Sequence, residues 1–376
     1  MIGRHIFNDN KLKIGTFGTN VSNGCAITTI DGTFQTNWSE AVEISRVADE
    51  AGFEALIPVA RWRGFGGETD FNGRSFETWT WAAGLGAVTR NAALFTTSHV
   101  PTIHPLLAAK QATTIDHITN GRFGINIVCG WYKTEIEMFG APIMEHDVRY
   151  DYAEEWITIM KRLWTEDEDL DFEGRYFKIT KGVNKPKPIQ KPFPALMCAA
   201  TSDRGRRFSG KHADMSFLHL TTHDDDGARR EVQRIKDVAY EVARREVQVW
   251  IHSYCVVGDT EKDARDFFNY YVHEKGDKVA ATNLIDTIGM QSKLMPADQL
   301  EAMRSHFIAG WGGYPLVGTA EQVVDKLTGL TKLGLAGTLL HWPRYLEGEK
   351  QFVAEVLPLM EQAGLRKPHR PQARAA

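Results

Sequence analysis

Only four cysteines, Cys25, Cys129, Cys198 and Cys255, occur in 376 residues. They lie far apart and form no C-x-x-C pair, which excludes the spacing of a zinc site or of a secreted disulfide framework. No apolar run approaches the ~20 residues that a membrane span needs. The opening Met-Ile-Gly-Arg-His-Ile-Phe lacks the apolar stretch of a secretion signal. Charge of one sign is missing too: 44 Lys and Arg against 48 Asp and Glu leave a net charge of −4. A whole-chain electrostatic footprint for nucleic acid or anionic membrane is thereby excluded. No P-loop, no dinucleotide G-x-G-x-x-G after a strand and no G-x-S-x-G elbow is present, so the glycines at 64, 66 and 67 read as a flexible wall over a ligand. These absences describe a soluble, reduced, cytoplasmic protein. What is abundant is aromatic: ten Trp and 19 Phe suit a deep apolar pocket as well as a core.

Short apolar runs alternate with helical patterns. Strands are predicted at 13–18, 54–58, 93–97, 123–128, 196–199, 214–220, 247–257 and 337–341, each followed by a helix. Pro105 opens one helix at a position where its missing N–H costs nothing. Trp156, Ile159, Met160 and Leu163 share a face of another, and Thr319-x-x-Gln322 is a capping box. Eight such units with no composition break predict a single closed (β/α)8 TIM barrel with parallel strands and the helices outside. The excess length falls at 130–149, at 165–194 with a hairpin near Glu173-Gly174, and at 274–318. The residues from 365 to 376 read as a polar, mobile tail.

In such a barrel the site lies at the C-terminal ends of the strands. The residues just past them are small groups, amides, aromatics and a few bases, which suit a planar ligand with a polar tail better than a metal. Ser202-Asp203 opens a helix, and a helix N-terminus is both an ordinary N-cap and a ready phosphate site. His99, at a strand end, is a candidate base. His104 and His117 read as structural, and Glu145-His146-Asp147 as solvated surface. Cys129 has no partner pattern for nucleophilic catalysis.

The run from Asp116 through Gly121-Arg122 and Asn126-Ile127-Val128 to Gly130-Trp131 resembles the signature of the bacterial-luciferase-like flavin monooxygenases. Arg149-Tyr150, Leu163-Trp164 and the stretch 172–177 carry the same resemblance, which spans roughly residues 11–363. It implies a two-component enzyme that uses reduced FMN and O2, supplied with FMNH2 by an NAD(P)H-dependent FMN reductase, as a homodimer or homotetramer. Residue by residue it implies flavin contacts at Ala60, Arg61, Asn126, Glu135, Arg149, Tyr150 and Ser202, and no metal. Arg61, His99 and His252 are the catalytic candidates, and Arg63, Trp131, Tyr254, Arg304 and Trp342 the substrate-binding ones. The stretch 274–318 falls where the family keeps a lid, with Lys293, Arg304 and His306 able to meet an anionic head group.

Within the family, 20–24 and 147–150 resemble the sulfone type and 63–71 the pyrimidine type. Where the alkanesulfonate type carries an Arg and a His two residues apart on the seventh strand, this chain carries His252 and Tyr254. The expectation is oxidation of a small sulfone or sulfonate, even a sulfonated sugar, with C–S cleavage. Pyrimidine ring opening, an F420-dependent hydride transfer and a non-catalytic flavin-binding relative are the alternatives.

Overall fold

The computed structural model describes residues 5–199, 201–222 and 224–369. Eleven strands are present among them. They are β1 (Lys13–Phe17), β2 (Ala55–Ile57), β3 (Ala93–His99), β4 (Phe123–Val128), β5 (Leu170–Glu173), β6 (Lys178–Gly182), β7 (Ala195–Ala199), β8 (Met215–Leu218), β9 (Gln248–Val257), β10 (Tyr314–Gly318) and β11 (Gly337–His341). Every pairing in the main sheet is parallel, in the order β1-β2-β3-β4-β7-β8-β9-β11, and β11 pairs back onto β1. The chain is a closed eight-stranded parallel barrel with its helices outside.

The helices that matter for the site are α1 (Trp38–Glu50), α2 (Thr78–Gly86), α3 (Pro105–Ile118), α4 (Lys133–Met138), α5 (His146–Thr165), α6 (Asp203–His212), α7 (Asp225–Ala243), α8 (Glu261–Asn269), α9 (Lys278–Thr287) and α10 (Ala297–Gly310). The capping chemistry read from sequence recurs here. Ser202 accepts from the Gly205 N–H at the start of α6, and the Thr319–Gln322 box is closed in both directions. The stretch 130–149 carries α4, and 165–194 carries the antiparallel β5–β6 hairpin. The stretch 274–318 holds α9 and α10 and ends in β10, a strand that the sequence reading left inside a lid. β10 pairs with Ser253–Val257 of β9, beyond the point where β8 leaves at Ile251. The unusual length of β9 is what gives it an edge to fill.

Alternation along the strands sends one set of side chains inward and the other toward the helices. The inward set (Ala55, Ile57, Phe95, Met197, Met215, Trp250 and Leu339) fills the barrel, with Ile6 at its floor. Glycine makes the room. A Cβ at Gly124 would run into the Phe95 ring, and one at Gly337 into Trp250. The tail is tethered, which corrects the expectation of mobility for its described part. The Leu12 N–H donates to the Leu365 carbonyl, and buried Arg366 lies 3.7 Å from Glu54.

The Asp116–Trp131 signature divides between the two ends of the barrel. Arg122, 6% exposed, donates to the carbonyls of Gly86, Thr89 and Ala92, and Asp116 accepts from Gln190, all at the strand N-termini. Asn126 and Trp131 lie at the opposite, functional end. Arg122→Leu leaves three buried carbonyls without their donor and is expected to cost about 3–5 kcal/mol. Urea unfolding of the variant measures this; a loss below about 1 kcal/mol contradicts the assigned role.

Candidate active site

The C-terminal mouth of the barrel opens into a cavity of about 380 Å³, within the range of small-molecule sites. Its walls are mostly apolar: Phe17, Val59, Trp131, Phe217, Ile288, Met290, Phe307 and Trp311. Polar groups enter from the strand ends as Arg61, Thr97, His99, Asn126, Thr201, His219 and His252. Ile288 and Met290, just past α9, form part of the wall, so the stretch 274–318 does reach the site.

One buried cation organises this mouth. Arg61 follows β2 and is 4% exposed. Its guanidinium lies 3.4 Å from Glu135 and sits among the rings of Phe65, Trp131, Tyr132 and Trp311 at 4.8–5.5 Å. The same Glu135 oxygen accepts from the backbone N–H groups of Trp62 (2.6 Å) and Arg63 (2.9 Å). Its other oxygen faces His99 Nδ1 at 3.5 Å. Glu135 therefore fixes the loop after β2 from below, on the short helix α4. Burial, and then the charge of Arg61, push the His99 imidazole down to about 3, so it is neutral at physiological pH. His252 is held well below its usual range, chiefly by burial and next by His341.

Asn126 projects from β4 between the two polar walls. Its amide donates to Thr97 Oγ1 (3.2 Å), which itself donates to the Pro58 carbonyl (2.5 Å), leaving Asn126 Oδ1 buried without a partner. Beyond the rim of the cavity lies a second polar corner. There the first turns of α5 and α6 bring Arg149, Tyr150, Ser202 and Arg204 together. Arg149 donates to the Gly130 carbonyl and keeps a buried Nε unpaired. Tyr150 is within hydrogen-bonding reach of Ser202, and its phenol is pushed up to about 12, chiefly by burial. The Arg204 guanidinium lies 5.9 Å from the Tyr150 ring and pairs with Asp151. The result is an apolar slot with an orphaned amide oxygen on its wall and an anion-binding corner at its end. A planar ring with a phosphorylated arm fits both parts.

Several residues singled out in the sequence stand elsewhere. Ala60, Arg61, His99, Asn126, Trp131 and His252 line the cavity, whereas Glu135 lies behind Arg61 and does not. Arg63 is exposed; only its backbone N–H is engaged. Arg304 is bound to Thr282 of α9 and to Glu301 of its own helix α10. Trp342 is one residue past the inward-facing His341, so alternation turns it out of the barrel, where it packs on Tyr345 and Phe352. Tyr254 is buried where β9 overruns the barrel, against Phe268 and under Gly310. Phe17, Thr97, Phe217, Phe307 and Trp311 line the site without having been singled out. Strand-end alternation marks Thr97, and the run Gly310-Trp311-Gly312-Gly313 marks Trp311. Among the described residues no group of His, Cys, Asp or Glu is placed to hold a metal, and no helix is long and apolar enough to cross a membrane.

A closed parallel barrel whose mouth joins an apolar slot to a phosphate-type corner defines a (β/α)8 enzyme of the flavin-binding kind. Residues 16–337 match the family model described as luciferase-like monooxygenase. The chain belongs to that family and is a flavin-dependent monooxygenase. It is 31% identical over 356 residues to the pyrimidine monooxygenase RutA of Caulobacter vibrioides (strain NA1000 / CB15N), covering 93% of this chain and 99% of the relative. Its fold is similar to that of riboflavin lyase RcaE, with a TM-score of 0.86 at 21% identity over 96% of this chain and 94% of that one. DmoA from Hyphomicrobium sulfonivorans is similar as well, with a TM-score of 0.84 at 19% identity over 96% and 91% of the two chains.

Two predictions follow from the buried charges. Glu135→Ala strands the Arg61 cation and is expected to cost about 3–5 kcal/mol, whereas Glu135→Leu combined with Arg61→Met recovers most of that loss; urea unfolding of the two variants reads both. His99, depressed from 6.5 to about 3, lends stability that is complete above pH 6.5 and drains as the pH falls toward 3. In ¹⁵N-histidine spectra its ring is expected to show no titration between pH 5 and 8.

Proposed function

We propose that the chain is an FMN-dependent, two-component monooxygenase acting on a small, flat, uncharged heterocycle of the pyrimidine type, with ring opening. The observation that carries this reading is the charge of the cavity. Among its described lining residues Arg61 is the one permanently charged side chain, and Glu135 already neutralises it. A buried sulfonate requires an unspent cation to offset its desolvation, yet Arg63 and Arg304 lie away from the cavity and His99 is neutral. The loop 63–71 supports the same reading. Phe65 of that loop packs on Tyr132 and Trp311 around Arg61, and Phe71 stacks on Phe65. The sulfone-like stretch serves the scaffold instead, since the Asn20 side chain bonds the Val59 and Phe76 backbone. A neutral sulfone is the second reading, because the Arg61 guanidinium and the neutral His99 and His252 rings can donate to sulfonyl oxygens.

FMN reduced by a separate NAD(P)H-dependent reductase supplies the electrons that activate O2. Asn126 Oδ1 and Thr97 would meet the ring, while Arg149, Tyr150, Ser202 and the α6 N-terminus would hold the phosphate. The aromatic walls exclude water, and neutral His99, backed by Glu135, offers a hydrogen bond without adding charge.

Two measurements test this. With FMN, an FMN reductase, NADH and ¹⁸O2, uracil or thymine is expected to give a ring-opened product carrying one labelled oxygen. Turnover of sulfonates with sulfite release, and none of pyrimidines, overturns the reading. Ser202→Asp preserves the N-cap but sets a carboxylate against the phosphate. Its Kd for FMN is expected to rise at least tenfold at unchanged Tm; an unchanged Kd removes the phosphate from this corner.

A further inference from the structure

His252 and His341 form a pair of imidazoles to which the pyrimidine reading has so far given no part. His252 lies mid-way along β9 and His341 at the end of β11, both inward, with ring centroids 6.4 Å apart. They are 5% and 0% exposed. Neither ring of the two has a hydrogen-bond partner within the protein at either nitrogen. Each ring abuts a glycine. A Cβ at Gly313 would come within 2.8 Å of His252 Nδ1, and one at Gly24 within 3.1 Å of His341 Nδ1. The backbone has been pared down to admit these rings without bonding to them. Phe17 flanks His252 on the cavity side, with centroids 5.3 Å apart. The groups acting on His252 are the imidazoles of His341, His219 and His306, with no carboxylate among them. Among the described residues no carboxylate lines the cavity either.

A neutral imidazole carries one donor and one acceptor on a rigid ring. Leaving both unmet in a dry wall costs about 1–3 kcal/mol per group, a cost that a bound molecule of matching pattern removes. The two ring nitrogens point in diverging directions, so a bound ligand meets one of them; a sulfonyl oxygen or an anion can only accept there, whereas a ligand that carries a donor beside an acceptor can also donate to the bare nitrogen. We propose that His252 is the substrate-reading residue of this site, recognising a neutral –NH–C(=O)– edge as found in cyclic imides and amides. His341 lies behind it, its ring centroid 6.4 Å away and its own nitrogens without a partner. This inference rests on the reading of the substrate as an uncharged heterocycle and adds the group that selects it.

The test uses ¹⁵N-histidine-labelled protein loaded with oxidised FMN, with no reductase present so that nothing turns over. The His252 signals are assigned by their loss in His252→Gln. Adding uracil is expected to lock His252 into a single tautomer, whereas FMN alone or dimethyl sulfone leaves the tautomers averaged. In turnover, His252→Leu is expected to raise KM for uracil at least tenfold with a smaller change in kcat. His252→Gln, which restores a donor beside an acceptor, is expected to stay within about threefold of wild type. Tautomer locking by FMN alone, an equal response to dimethyl sulfone, or an unchanged KM in His252→Leu overturns the assignment. If uracil locks the tautomer but no pyrimidine is turned over, the proposed reaction fails while the reading of His252 stands.

Discussion

The buried pair of Arg61 and Glu135 is the constraint on which the mouth of this barrel depends. A guanidinium and a carboxylate held out of water are tolerable only while each satisfies the other. Glu135 therefore has little freedom to move, and its grip on the Trp62 and Arg63 N–H groups sets the course of the loop after β2. That loop carries Phe65, which with Trp131, Tyr132 and Trp311 encloses the cation, and Phe71, which stacks on Phe65. The aromatic wall, Trp311 at the end of α10 and the neutral His99 are arranged around one charge that is already spent within the protein.

A site built this way is polar without being charged. Its polar lining includes an orphaned amide oxygen, the neutral His99 and His252 imidazoles and a guanidinium already paired, set among apolar walls. Such a lining discriminates by donor and acceptor pattern more than by charge, because a misplaced hydrogen bond in a dry cavity costs more than the bond itself contributes. The anion-binding capacity is kept apart at the first turns of α5 and α6, where helix termini and Arg149 suit a phosphate. The separation lets one end of a ligand be anchored by charge and the other be read by shape and hydrogen bonds.

The two halves of the signature between Asp116 and Trp131 make the same division along the barrel axis. Asp116 and Arg122 bind backbone groups at the strand N-termini and hold the β-strands in register. Asn126 and Trp131, a few residues on, serve the mouth. Alternation along β4 allows one short segment to supply structural and functional side chains in succession.

The sequence by itself determined the barrel. Short apolar runs separated by helical patterns, the Pro105 start, the Thr319 box and the Ser202 cap are local signals, and local hydrogen bonding and burial suffice to read them. It also marked Ser202 at the start of α6, because a helix N-terminus and its cap are written in adjacent positions. Only the tertiary structure decided which of the singled-out side chains face the cavity. Trp342 and Tyr254 were turned away, the one by strand alternation and the other by the overrun of β9 beyond the barrel, neither of which is visible without the register. Only the fold could pair Arg61 with Glu135 across 74 residues of chain and thereby cancel a charge that reads as free in the sequence. The charge available to a ligand is a property of which groups are buried together, and that is settled by packing.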